Sequence, residues 1–194
     1  MKRSFELSPA DLEALGQLSK VTFPKLFFVD TVNFDVGANG QAIAPGLEIH
    51  VGAPYAAWGI TFVNPAGGVW AQASPQAHSS PNVVSNQLNN PASVAANGKI
   101  RATFASPVAS ASIWAASGKP VGEGLPIVAL DAYDQEGNRV SKVTATLQAF
   151  TNVVASPQIG NVISYVEFWP EYGESYFDDL TVTWSVAEAL SMQP

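Results

Sequence analysis

From Val21 onward the apolar and polar residues of this chain alternate with a period of two, broken repeatedly by Gly, Pro and Asn. Successive side chains of a strand point to opposite faces, so this pattern commits the chain to sheets with one buried and one wet side. The segment VSKVTATLQAF is the clearest example: Val143, Ala145, Leu147 and Ala149 share one face, and Thr144, Thr146 and Gln148 the other. Strands are predicted over 21–29, 31–35, 47–51, 58–64, 68–73, 99–104, 108–116, 126–134, 140–149, 162–168 and 176–184. The turn DQEGN, Asp134 to Asn138, joins two of them, with Gly137 available for a positive φ. Short strands separated by turn signals indicate an all-β fold, a two-layer antiparallel jelly-roll β-sandwich.

One helix is expected, and it comes first, in LSPADLEALGQLS. Ser8 can cap it, Pro9 fits its first position, Asp11 favours its positive end, and Leu7 and Leu12 have the spacing of a hydrophobic staple. The expected organisation is therefore an N-terminal helical arm over 1–20, one jelly-roll domain over 21–186 and a tail over 187–194. A chain of 194 residues with 47% hydrophobic content can build one sizeable core. Acidic residues interrupt the segment after Lys2 and Arg3, which is unlike the apolar core of a leader peptide. The expectation is a mature exported fragment with a new Met, or a protein that reaches its destination without a classical leader.

Composition excludes several functions. With no Cys there are no disulfides and no thiolate metal sites, and the two histidines, His50 and His78, cannot make a His-rich zinc site. Sixteen acidic against nine basic residues give a net charge of −7, which disfavours nucleic acid and anionic lipid as partners. No run reaches the length needed for membrane insertion. His78 lies in QAHSSPN, with no nucleophile motif around it, and no pair of carboxylates has a spacing specific to glycoside hydrolysis. The chain is read as non-catalytic, with a glycoside-active enzyme as the minor alternative.

The least expected feature is an absence of charge. From Ile49 to Gly98 there is no Asp, Glu, Lys or Arg. At the chain's 13% charged content, a given fifty-residue window lacks charge with a chance on the order of one in a thousand. Amides, hydroxyls and aromatic rings suit a neutral carbohydrate, whose CH faces stack on rings while its hydroxyls bond to amides. Tyr55, Trp58 and Trp70 are the candidate stacking residues, and Asn64, Gln72, Asn82 and Asn86 the candidate polar contacts. The same composition suits a subunit interface. Core packing is the plain alternative for each ring.

Acidic residues concentrate near the end, where Glu167 to Asp179 holds five carboxylates and no Lys or Arg. In SYFDDLTVTW, Asp178 has the parity of the apolar face with Leu180, Val182 and Trp184. Asp179 falls on the wet side and can turn inward only at a bulge. A buried lone carboxylate is costly, and a hard cation such as calcium, which takes six to eight oxygen ligands, removes that cost. Solvated rim charge and a structural calcium both remain open on these residues alone.

The segments VNFDVGANGQAIAPG, PYAAWGITFVN, FASPVASASIWA, LPIVALDAYDQEGNRV, NVISYVEF and SYFDDLTVTW follow one another in an order that resembles bacterial exported β-sandwich modules of the galactose-binding-like jelly-roll type. The resemblance covers roughly residues 30 to 184. It implies a carbohydrate-binding or surface-sorted module and a structural calcium shared by Asp35 of NFD with Asp178 or Asp179 of FDD. It also implies an extracellular or cell-surface location. Taken together, the expectation is a non-catalytic module for neutral carbohydrate with a structural calcium. The alternative is a structural protein, such as a virion decoration or surface-layer subunit, that uses 49–98 as its interface and forms a homo-oligomer.

Overall fold

A computed structural model of the protein describes residues 27–93, 98–118, 124–147, 151–156 and 162–185. The expected N-terminal helix over 1–20 and the tail over 187–194 lie outside the described residues. Among the described residues eleven strands form two antiparallel sheets: β1 (Phe27–Val32), β2 (Ile60–Val63), β3 (Trp70–Ala73), β4 (Asn82–Ser85), β5 (Ile100–Val108), β6 (Ser110–Ser117), β7 (Ile127–Tyr133), β8 (Arg139–Thr146), β9 (Thr151–Ala155), β10 (Ile163–Tyr172) and β11 (Ser175–Ser185). One sheet has six strands in the order β3-β4-β11-β6-β9, with β1 also paired to β11; the other has five, in the order β2-β5-β10-β7-β8. From β2 onward the chain passes back and forth between the layers, as a jelly-roll sandwich does.

The buried faces follow from the alternation. Ile100, Ala102 and Phe104 of β5 point inward, and Leu180, Val182 and Trp184 of β11 do the same from the opposite sheet. Aromatic rings bridge the layers, with Phe168 of β10 edge-on to Phe177 of β11 at 4.9 Å and Phe104 of β5 edge-on to Trp184 at 6.1 Å. Full burial of a side chain of this kind contributes about 1.5–3 kcal/mol. A second aromatic cluster, Phe34, Tyr55 and Phe62, has centroid spacings of 5.4 to 6.1 Å.

Four elements differ from the sequence expectation: where two strands are expected over 21–29 and 31–35, the described residues form one, β1, which ends at Val32 before Phe34 takes a φ of +57°. The strand expected over 47–51 is instead a single helical turn, α1 (Ile49–Gly52), which buries Ile49 and ends at Ala53 in the left-handed region. A four-residue apolar run carries no period by which helix and strand can be told apart. Strands β4 and β9 have no counterpart in the expected set. All four residues of β4 (NVVS) are buried, so it shows no alternation to read.

The site depends most on how β11 is paired. Along one edge it pairs with β6 throughout. Along the other it meets β4 at Phe177↔Val84 and then β1 from Leu180↔Val32 to Ser185↔Phe27. Where one neighbour gives way to the other, the register with β6 shifts between Asp178 and Thr181, and Asp179 takes a φ of +44°. That is a β-bulge, and it inverts the parity of everything before it.

Candidate functional site

The structure uses the polar side chains of 49–98 to hold that segment's own backbone. Asn64 bonds the Gly68 carbonyl (3.2 Å) and the Ala66 amide (3.0 Å). The Gln72 amide donates to the carbonyls of Gln87 and Asn90. Asn82, fully buried, donates to the carbonyls of Phe34 and Ile43, both at 3.0 Å. Asn86 donates to Ser93 and Gly98 and accepts from the Ser93 amide. Buried loop backbone must find partners, and neutral amides supply them without the desolvation cost of an ion. The rings are likewise engaged: Tyr55 is 1% exposed in the core, Trp58 packs on that core, and half-buried Trp70 lies so close to Gly68 that a Cβ there would collide with the indole nitrogen. Of the seven residues expected to face a ligand, Tyr55 thus packs in the core, and Asn64, Gln72, Asn82 and Asn86 are bonded to loop backbone. Trp58 and Trp70 do not share one exposed platform with them.

The three acidic residues do come together. Since the bulge inverts parity, Phe177 faces the core, while Asp178 lies opposite Trp114, on the sheet's other face. This corrects the reading of Asp178 as part of the apolar row. It is nonetheless fully buried, because the loop carrying His78, Ser79 and Pro81 covers it. Its carboxylate accepts from the Ser79 amide (2.8 Å) and the Asp179 amide (2.7 Å). Asp179, turned in by the bulge, accepts from the Ser79 hydroxyl (2.8 Å) and lies 2.6 Å from His78 Nδ1, whose ring stacks on Trp114 at 4.0 Å. Asp35 accepts from the Asn82 amide at 2.7 Å. His50, by contrast, is bonded to the Phe62 carbonyl, away from this cluster.

Burial makes this cluster costly to ionise. Burial raises the Asp178 carboxyl from 3.8 to about 7, with the charges of Asp179 and Asp35 adding to the rise against hydrogen bonds from Ser79 and Asp179. Burial also raises Asp35, opposed by its bonds to Asn82 and Ser79. Burial and then the charges of Asp35 and Asp178 push the Tyr55 hydroxyl up. Two buried oxygens here, Asn82 Oδ1 and the Tyr55 hydroxyl, have no hydrogen-bond partner among the described residues. Among those residues no three His, Asp or Glu side chains are grouped so as to hold a metal ion by themselves. A cation would therefore need the orphaned amide oxygen and backbone carbonyls as well as carboxylates, an all-oxygen set of the kind calcium takes.

A second constellation, absent from the sequence expectation, covers the outer face of the five-stranded sheet. Register places Arg101, Glu167, Asp131 and Lys142 in one cross-strand row, and Thr103, Tyr165, Tyr133 and Arg139 in the next. Arg101 sits 4.4 Å over the Tyr165 ring, and Tyr165 stacks on Tyr133 at 4.6 Å and 9°. Lys99 lies 3.6 Å over the ring of Trp169. Below these, Glu167 takes a two-pronged bond from Arg101 (3.1 and 2.6 Å), Lys99 stands 3.4 Å from it, and the Tyr133 hydroxyl is 3.3 Å from both Glu167 and Asp131. Asp131 also pairs with Arg139 at 3.6 Å, yet its Oδ1 is buried without a hydrogen-bond partner among the described residues. Burial and these two carboxylates push the Tyr133 hydroxyl up. The sequence signal is the presence of charged and aromatic residues at the outward positions of β5, β7 and β10, where Ser or Thr would serve a plain wet face.

No family model matches the sequence, and no curated protein matches it. The solved structures it resembles include carbohydrate-binding modules and an adhesin domain. One is the CBM22-1–GH10 module pair of endo-1,4-β-D-xylanase 10B from Clostridium thermocellum, complexed with xylohexaose (11% identity, TM-score 0.44, 79% of this chain and 27% of that one). Another is the K2 cleaved adhesin domain of Lys-gingipain (15% identity, TM-score 0.44, 80% and 99%). A third is a mutant form of a family 29 carbohydrate-binding module, CBM29-2 (10% identity, TM-score 0.39, 79% and 91%). The chain thus spans about a quarter of the xylanase module pair and nearly all of the adhesin domain.

Proposed function

We propose that this protein is a non-catalytic carbohydrate-binding module, acting outside the cell or at its surface, and that its binding face is the outer face of the five-stranded sheet. The observation that carries the reading is the pair of cross-strand rows there: rings and charged groups fixed by one another, with hydrogen-bonding capacity at the surface. A rigid aromatic and polar platform suits a ligand with apolar faces and many hydroxyls. The same geometry argues against hydrolysis. Asp131 and Glu167 share one tyrosine hydroxyl and are neutralised by Lys99, Arg101 and Arg139, whereas a hydrolytic pair must flank the sugar. The test is affinity electrophoresis and a broad glycan array. Retention is expected for the wild type and a loss of roughly three- to tenfold for Tyr133→Ala with its circular dichroism intact, the size expected from removing one stacked contact. Absence of retention on every glycan overturns the reading, and a stable symmetric oligomer in light scattering alongside it would favour the assembly alternative over 49–98.

The cluster under the 78–82 loop is assigned a structural calcium, held by Asp35, Asp178 or Asp179 with Asn82 Oδ1. The ion would supply the positive charge that these buried carboxylates lack. A ligand that binds only the folded state raises stability by about 2.7 kcal/mol at a hundred times its Kd. For a domain of this size that is a rise of roughly 5–10 °C in the melting temperature. The expected result is a higher melting temperature in calcium than in chelator for the wild type and no difference for Asp35→Asn. An unchanged wild-type curve removes the calcium and leaves the carbohydrate reading standing.

A further inference from the structure

We infer that the ligand of this face is an acidic polysaccharide, a chain of sugars bearing carboxylates, rather than the neutral carbohydrate that the charge-free segment suggested. The inference rests on the proposed binding face. Its first support is where positive charge has been placed. Every Lys and Arg among the described residues, Lys99, Arg101, Arg139 and Lys142, stands on this one sheet face, in a chain whose formal charge is −7.

The second support is the layering of charge within the face. Two of its carboxylates lie underneath, the side chains of Asp131 and Glu167 being 2% and 12% exposed, while Glu171 at 34% stands level with Lys142. The cations lie above them, with Lys99, Arg101, Arg139 and Lys142 at 38%, 36%, 53% and 39%. An approaching ligand meets ammonium and guanidinium groups first. The buried carboxylates fix the direction of those groups and offset much of their charge without offering themselves to the ligand. Glu171 pairs with Lys142 at 2.6 Å, so four cations face three carboxylates here among the described residues. The neighbouring Asp134 is turned into its own hairpin, accepting from the amide and side chain of Asn138, and Glu136 is exposed in that hairpin. Arg139 meets Asp131 through one guanidinium nitrogen at 3.6 Å, and a five-donor fork held so loosely has capacity for an incoming carboxylate.

The third support is spacing. Arg101 on β5 and the pair Arg139 and Lys142 on β8 are separated by β10 and β7, three strand intervals or about 14 Å. Stacked tyrosines fill the space between. Cations at both ends of an aromatic row match a ligand that repeats its charge along a chain better than a single ion or a monosaccharide. The net charge of −7 opposes any polyanion at long range, so discrimination falls to contact: the rings between the cations meet the CH faces of pyranose sugars.

The experiment is affinity electrophoresis of the whole protein in gels containing polygalacturonate, alginate, methyl-esterified polygalacturonate or a neutral xylan, at low salt and at high salt, with a single-stranded oligonucleotide as a further arm. Retention on polygalacturonate or alginate at least tenfold stronger than on the esterified and neutral chains is expected, with most of it lost at high salt. The double variant Arg139→Gln, Lys142→Gln removes two cations from this face, one of them a partner of buried Asp131, and should lose that preference with its circular dichroism spectrum intact even where its melting temperature falls. Equal retention on esterified and free polygalacturonate, or retention on xylan alone, overturns the acidic ligand while sustaining a carbohydrate function. No retention on any polysaccharide overturns both. Retention on the oligonucleotide alone overturns both in favour of nucleic acid.

Discussion

Asp178 shows what one inserted residue does to a strand. Strict alternation from Leu180 back through Asp178 puts its carboxylate in the apolar row, but the bulge at Asp179 sends it to the opposite face, under the loop that follows His78. Nothing in the letters DD announces a positive φ, since the bulge arises from a change of neighbouring strand that lies far away in sequence. The titration consequence has a definite sign. The folded state raises this carboxyl from 3.8 to about 7, so between those values the native protein keeps a proton that the unfolded chain has released. Its contribution to stability is whole below about pH 4 and is lost as the pH climbs to about 7, with Asp35 adding in the same direction. Calcium-free protein is expected to melt several degrees higher at pH 5 than at pH 7.5, and Asp178→Asn to remove most of that difference. An undiminished slope in the variant would place the proton elsewhere.

At the level of elements, what could be read was whatever kept its period. The outward Thr144 and Thr146 and the inward Val143 and Ala145 of β8 are found as the alternation placed them, and the hairpin at Gly137 is present with a φ of +83°. What could not be read were elements without a period, α1 and β4, and the pairing of strands. The ring and charge rows draw Arg101, Asp131, Tyr133, Tyr165 and Glu167 from three strands far apart in the chain, and only register makes neighbours of them. Close packing between elements is also silent in sequence until a coordinate shows it. Gly118, just past β6, accepts no side chain: a Cβ there would collide with the Pro91 ring and stand 3.2 Å from the Glu174 backbone, while its amide bonds the Glu174 carbonyl at 2.8 Å. Overpacking of this kind costs about 1–3 kcal/mol. Gly118→Ala should lower the melting temperature by roughly 2–12 °C without altering glycan retention, as measured by calorimetry beside affinity electrophoresis.

For the molecule as a whole, the sandwich and its all-β character were legible because alternation persists through the described strands, whereas the position of the candidate site was not. The charge-free stretch drew attention to 49–98, yet its neutrality reflects the demands of buried loop backbone. The charged and aromatic platform lies outside that segment, on β5, β7, β8 and β10, strands whose inward residues look like any core. The same layered topology bears on how the protein is made. β11 is the hub of the six-stranded sheet, touching β1, β4 and β6, and it is the last of the described strands to be synthesised. Until it emerges from the ribosome, β1 and the β3–β4 hairpin have no central strand to join, and the carboxylates of FDD have not reached Ser79. The six-stranded sheet therefore closes only after β11 has followed every other described strand out of the ribosome, through contacts of long sequence separation, which makes this a slow-folding architecture.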